Sequence, residues 1–332
     1  MNGGYRESLT DELKQEIYQY VMSGHSYRQA RDKFGKSVGM VAKIVKGGNP
    51  EFPDLKTTSV DWREVFDHCD DTKKLNSKAS NSQIAATIPI KTGRPFAITF
   101  SADWHLGSMA VDHKELRSHI EKILSTDDLF MFTCGDEIDN FLHFRSIMPI
   151  LSQSIPPKLQ VKVLKQIFDE LLEYHKLKCT CWGNHTSERT EKDGGFDVME
   201  QLAENRVPYF GGKGIATIDT GKIKYEILLT HKSRYSSFLN KLHGNKREFQ
   251  LYWPAQVVVT AHTHNPDFET YNHYRTQNFL VKPGTFKTDD TYSNRYWENG
   301  ILGTPTLVFY PDHNEIVPFL TVDQAVKFMK VA

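Results

Sequence analysis

The chain has 332 residues, 41 basic and 41 acidic side chains, a formal net charge of zero and 39% hydrophobic residues. Single cores stop growing near ~250–300 residues, so two domains are expected, and an ordinary globular composition excludes wholesale disorder, collagen-like repeats and a heptad rod. No apolar run approaches the roughly 20 residues that span a bilayer, and MNGGYRESLTDELKQ has no apolar signal core, so a soluble, cytoplasmic protein with no membrane partner is expected.

Cys69, Cys134, Cys179 and Cys181 are too few and too unevenly spaced for a disulfide scaffold and read as free core thiols. The neutral total hides an asymmetry. Between Ser26 and Gly48, Arg28, Arg31, Lys33, Lys36, Lys43 and Lys46 face Asp32 alone, which gives this segment +5 and the remainder −5.

In chain order, Thr10 can cap a first helix with an apolar stripe at Leu13, Ile17, Tyr20 and Val21. Ser26 can cap a second helix to about Phe34, and Ser37 a third to Val45, with Gly24, Gly35 and Gly47-Gly48 as breaks. The stretch SYRQARDKFGKSVGMVAKIVKG resembles the helix-turn-helix of resolvase-like and transposase-like DNA-binding modules, with Ala30, Phe34, Gly35, Ser37, Val38, Val41 and Ile44 in the expected places. Lys36 departs from the pattern, which has an apolar residue there. The resemblance implies DNA contact through Arg28, Lys36, Lys43 and Lys46; the plainer alternative is a helical hairpin with a solvated basic face. Residues 1–48 are therefore taken as a helix-turn-helix domain and 49–94 as a linker with one short helix at VDWREVFDH.

Residues 95–332 form the second domain. Apolar strands are expected at 96–102, 128–134, 177–182, 224–230 and 256–260, with helices at 112–124 and across 157–175 and a later strand at 303–310. The alternation implies an α/β fold with buried strands. Each of those five strands ends in a polar motif: Asp103-Trp104-His105, Gly135-Asp136-Glu137-Ile138-Asp139-Asn140, Gly183-Asn184-His185, His231, and Ala261-His262-Thr263-His264. Metal-ligand types at successive strand ends converge on one edge of a sheet, where open α/β folds place their ligands.

This series resembles that of calcineurin-like metallophosphoesterases over roughly residues 96–310, and SADWHLGS is most similar to the first block of double-strand-break-repair nucleases. The resemblance implies a two-layer β-sandwich flanked by helices, beside the small all-α helix-turn-helix domain, and a dinuclear metal centre. It implies that Asp103, His105, Asp136 and His264 hold one ion, and that Asp136 bridges to a second held by Asn184, His231 and His262. His185 would then face the leaving-group oxygen as general acid or stabiliser, oriented by Asp139; the alternative is that both only support the ligands. The resemblance to the repair nucleases also admits a homodimer.

Carboxylate, imidazole and amide oxygen donors suit two divalent ions, Mn²⁺ first, with Fe or Zn²⁺ as alternatives. Two ions roughly 3.5–4 Å apart activate a shared water as hydroxide and clamp phosphoryl oxygens, so no protein nucleophile is required. Asn140 and Cys181-Trp182 stand where protein phosphatases carry clamping arginines, which argues against that branch. Lys232, Arg234, Lys241, Lys246 and Arg247, interleaved with Tyr235 and Phe238, fit either a nucleic-acid backbone or a solvated face over core aromatics. The expectation is a metal-dependent phosphodiesterase acting on DNA. The alternatives are a small-molecule or nucleotide phosphatase or phosphodiesterase, and a DNA-binding regulator with an inactive phosphoesterase domain.

Overall fold

The computed structural model describes residues 9–47, 62–80, 82–141, 151–237, 239–273, 276–288 and 300–331, and the chain divides into two compact units, Met1–Leu75 and Asn76–Ala332. In the first unit the capping residues act as expected. Thr10 accepts a hydrogen bond from Leu13 N at the start of α1 (Asp11–Met22), and Ser26 and Gln29 make a reciprocal capping box at the start of α2 (Tyr27–Phe34). Gly35, at φ 63°, ends α2 in the left-handed conformation that a side chain would strain. Three residues later α3 (Val38–Gly47) begins. Ile17, Ala30, Val41 and Ile44 close a small core between the three helices, with Leu13, Tyr20, Val21 and Phe34 around it. Helix α4 (Trp62–Ala79) is twice the length expected from VDWREVFDH. Its side chains from Arg63 to Leu75 are exposed, so no buried apolar stripe marks its extent in the sequence.

The second unit holds two six-stranded sheets. One runs β12 (Ile316–Phe319), β11 (Thr306–Phe309), β2 (Phe96–Ser101), β3 (Leu129–Thr133), β4 (Leu177–Cys181) and β5 (Tyr209–Phe210). The other runs β1 (Ala85–Pro89), β6 (Lys213–Asp219), β7 (Lys224–Thr230), β8 (Val257–Thr260), β10 (Thr276–Lys282) and β9 (Asp267–His273). Strands β2, β3 and β4 are mutually parallel, as are β7 and β8. Their carboxyl ends therefore share an edge within each sheet.

The inner faces meet in one apolar layer, with Ile98, Phe100, Phe132 and Cys181 from the first sheet against Ile227, Leu229, Val257 and Val281 from the second. Burial of each such large side chain contributes about 1.5–3 kcal/mol. Leu116, Ile120 and Ile123 of α5 (His113–Ser125) and Leu164, Phe168 and Leu171 of the helix Pro157–Glu173 cover the outer face of the first sheet. Leu242 and Phe249 cover the second. This is the expected α/β sandwich flanked by helices.

Two expectations need correction. The segment 49–94 is not all linker, because α4 occupies 62–79 and β1 pairs in parallel with β6 from Ala85–Ile215 to Pro89–Asp219; residues 48–61 lie outside the described ones. Only Ile88 of β1 is fully buried, so this edge strand shows little of its pairing in its own pattern. Cys134, Cys179 and Cys181 are buried thiols, but Cys69 is exposed on α4. Strand β10 ends at Lys282, and beyond it Thr285 Oγ1 and Phe286 N both donate to the Asp103 carbonyl. Among the described residues no helix is long and apolar enough to cross a membrane.

Candidate metal centre

The five motifs leave β2, β3, β4, β7 and β8 as expected. Their loops interlock through the backbone: Asp103 N donates to Gly135 O (3.0 Å) and His105 N to Asp136 O (3.0 Å). Asp103, His105, Asp136, Asn140, His262 and His264 all have positive φ, between 45° and 75°. Such left-handed backbones are uncommon outside glycine, and each persists only where surrounding contacts over-determine it. The strain is concentrated at the residues that carry the polar motifs.

Each of two buried aspartates uses one oxygen to fix itself and presents the other. Asp136 Oδ1 accepts from His185 N (2.6 Å) and Asp103 Oδ2 from His262 N (3.1 Å). Among the described residues no directed hydrogen bond reaches Asp136 Oδ2 or Asp103 Oδ1. His231 Nδ1 donates to Cys134 O (2.8 Å), which turns Nε2 toward Asp136 Oδ2 (3.0 Å) and Asn184 Oδ1 (3.1 Å). His262 joins Asp136 and His231 in one group of converging donors. In another, His105 Nε2 and His264 Nε2 are 3.1 Å apart, and Asp103 Oδ1 lies 3.8 and 3.4 Å from them.

Lone pairs that face one another in a buried site repel unless a cation lies between them. Donor atoms at about 2.1 Å and right angles around one ion stand about 3.0 Å apart, which is close to the His231–Asp136, His231–Asn184 and His105–His264 spacings, with Asp103 somewhat farther out. The donor set thus fits two divalent ions, one for each group. Electrostatics place on His231 a proton that an ion bound there would displace. Burial pulls the His231 imidazole down, yet Asp136 and Asp103 lift it to about 9, whereas burial and the neighbouring His231 hold His262 at about 4. Burial would raise the carboxyl of Asp136, but His231 and His185 keep it well below the usual range.

Asp139 is not placed as expected. Its Oδ1 faces His105 Nδ1 at 3.0 Å and stands 3.6 Å from His185 Nδ1, which instead meets the Asp139 carbonyl at 2.9 Å. The carboxylate therefore orients a donor, His105, and the backbone orients His185. Burial, then the neighbouring His105 and the positive Arg189, lowers His185 to about 3 against the pull of Asp136, so an imidazolium there is disfavoured before substrate arrives.

Sequence reading passes over three contributors. Arg189 lies against His185. Lys287 Nζ is 3.7 Å from Asp139 Oδ1, and Gln160 Oε1 accepts from Asn140 N (2.8 Å). Only the i, i+4 spacing from His185 to Arg189 was a signal within the sequence. Of the proposed nucleic-acid contacts, Lys232 and Arg234 are exposed just after His231, and Lys246 is paired with Glu269 (2.8 Å); Phe238 lies outside the described residues. In the first unit Arg28, Lys43 and Lys46 are exposed and Lys36 is half-buried.

Residues 96–288 match the sequence pattern of the calcineurin-like phosphoesterases. The chain belongs to this family. Membership implies metal-dependent phosphoester hydrolysis, in accord with a donor set for divalent ions. A comparison with curated proteins found no match. Among solved structures, the chain is similar to Entamoeba histolytica Vps29 complexed with zinc at 11% identity and TM-score 0.35, covering 68% of this chain and 97% of that one. It is similar to Thermotoga maritima TM1076 at 11% identity and TM-score 0.32, covering 68% and 99%. Plasmodium GAP50, an anchor in the inner membrane complex, matches at 9% identity and TM-score 0.39, covering 68% and 84%.

Proposed function

We propose that this calcineurin-like phosphoesterase is a dinuclear-metal phosphodiesterase acting on DNA, and that residues 1–48 bind the duplex as a helix-turn-helix. The observation that carries the hydrolytic part is the pair of converging donor groups, Asp103, His105 and His264 beside Asp136, Asn184, His231 and His262. Bound there, two ions, Mn²⁺ by preference, would polarise the phosphoryl oxygens and activate a water. The chain's own residues orient that chemistry: Asp139 fixes His105, the Cys134 carbonyl fixes His231, and His185 faces the reacting edge.

Asn140 donates to the His185 carbonyl (3.1 Å), so it serves the loop where protein phosphatases place a clamping arginine, which favours a diester over a phosphomonoester. The DNA part is supported by the three-residue connection between α2 and α3 and by the outward Lys43 and Lys46 on α3.

The test is the full chain with Mn²⁺ on bis-p-nitrophenyl phosphate and on labelled single- and double-stranded DNA, beside a deletion of residues 1–48. The proposal expects turnover of both substrate types and a deletion that weakens DNA binding and its salt dependence while sparing the small diester. Intact DNA with hydrolysed small diester would overturn the nuclease reading. DNA affinity unchanged by the deletion would remove the role of the N-terminal unit.

A further inference from the structure

His185 and Asp139 come from different loops, and one cation spans both. Asn184–Glu188 form a π-helical turn in which Ser187 N and Glu188 N both donate to Gly183 O (2.9 and 3.1 Å). π-Turns of this kind recur at functional sites because the widened turn re-aims side chains. Here it brings Arg189, the first residue of the next helix, back over His185. Nη1 is 2.8 Å from His185 Nδ1 and Nη2 3.1 Å from Nε2. The same Nη1 donates to the carbonyls of Asp139 (2.5 Å) and Asn140 (3.4 Å). The Phe141 ring covers the guanidinium at 3.9 Å and meets His185 edge-on at 5.4 Å.

We propose that Arg189 is a positioning residue of phosphodiester hydrolysis, fixing the His185 ring and the Asp139–Phe141 segment as one body at the reacting edge. This rests on the phosphodiesterase reading above. A planar fork can hold two carbonyls and a ring at once, whereas an ammonium is a point charge that cannot. His105, Asp139 and His185 also form a third group of metal-ligand types. Arg189, together with Lys287 beside Asp139, makes that side cationic, which opposes a third ion and favours a phosphate oxygen.

The experiment uses the full chain and the variants Arg189→Ala, Arg189→Lys and His185→Ala. Steady-state hydrolysis of bis-p-nitrophenyl phosphate is measured with Mn²⁺, Mn²⁺ affinity by calorimetry, and turnover again with added millimolar guanidinium. The expected result is a kcat lower by about 100-fold in Arg189→Ala, with KM changed by less than about threefold. Mn²⁺ affinity is retained, guanidinium partly restores Arg189→Ala but not His185→Ala, and Arg189→Lys stays well below wild type.

A kcat in Arg189→Ala equal to wild type overturns the inference, as does a loss of Mn²⁺ binding in step with kcat. Should Arg189→Ala fail to fold, Arg189→Lys decides alone, and wild-type turnover in it overturns the role of the fork. Wild-type protein that leaves the diester intact refutes the phosphodiesterase reading and this inference with it. Wild-type turnover with an unaffected variant refutes this inference only.

Discussion

Gly183→Ala isolates how closely the donor loops are fitted. Gly183 has φ −135° and ψ 150°, a conformation open to any residue, so alanine adds no backbone strain there. Its methyl, however, would lie 2.3 Å from Asp136 N, 2.5 Å from Asp136 Oδ1 and 3.0 Å from Gly135 Cα. Relief to an ordinary 3.4 Å contact requires about 1.1 Å of retreat by the Asp136 loop, more than the about 0.5 Å that a preorganised site tolerates. The overpacking costs about 1–3 kcal/mol of stability, which a domain of this size survives. Displacement of the Asp136 carboxylate costs about 10–100-fold in metal affinity and about 100-fold in kcat/KM on bis-p-nitrophenyl phosphate. Calorimetry with Mn²⁺, thermal unfolding and steady-state kinetics on the same preparation separate these effects. A folded Gly183→Ala protein that binds Mn²⁺ and turns over like wild type would refute the placement of Asp136 in the centre.

Asp139→Asn weakens the hold on His105 and should lower Mn²⁺ affinity by about 10–100-fold with little change in melting temperature, read by titration calorimetry; unchanged affinity would reassign Asp139. His119, buried in α5 beside Phe286 (5.4 Å), is held at about 3 by its burial and by Lys122. Its folded value lies below the unfolded one, so its contribution is fully present above pH ~6.5 and is lost as acid protonates the unfolded chain first. Between pH 7.5 and 5 it accounts for about 2 kcal/mol of lost stability. His119→Leu should flatten this slope in urea melts at the two pH values, and an identical slope would exclude the residue as the source. Ser26→Ala removes the hydroxyl arm of the α2 capping box, leaving the residue 26 backbone N–H to donate to Gln29, and should destabilise the N-terminal unit by about 1 kcal/mol while leaving small-diester turnover intact. Circular dichroism of the variant, with the kinetics as control, checks both halves.

The features legible in the sequence are those whose cause is local. Val257, Val258 and Val259, wholly buried, announce β8 by composition alone, and the donors follow because each strand end is punctuated by polar residues. Strand β1 escapes notice because its partner, β6, is more than 120 residues away and only Ile88 is shielded. Strand β9 is half-exposed throughout and carries no alternation strong enough to read. The family resemblance implies that Asp139 orients His185. The left-handed residues Asp136 and Asn140 on either side of it direct the carboxylate to His105, and their φ values leave no mark in the residue pattern. Arg189 stands four residues after His185, which the sequence shows, but the π-turn before it is a hydrogen-bond irregularity that the sequence does not show.

The donors are divided between the sheets. Asp103, His105, Asp136 and Asn184 follow strands of one sheet, and His231, His262 and His264 follow strands of the other, so each donor group draws on both layers. The His231–Cys134 and His262–Asp103 hydrogen bonds cross the same seam. An ion that binds only when both layers are docked stabilises the docked state by mass action, about 2.7 kcal/mol at a hundredfold excess over Kd. A loaded centre would then be a rivet as well as a reagent: metal supply would set how firmly the two layers hold together, and chelation should loosen the sandwich from this edge inward.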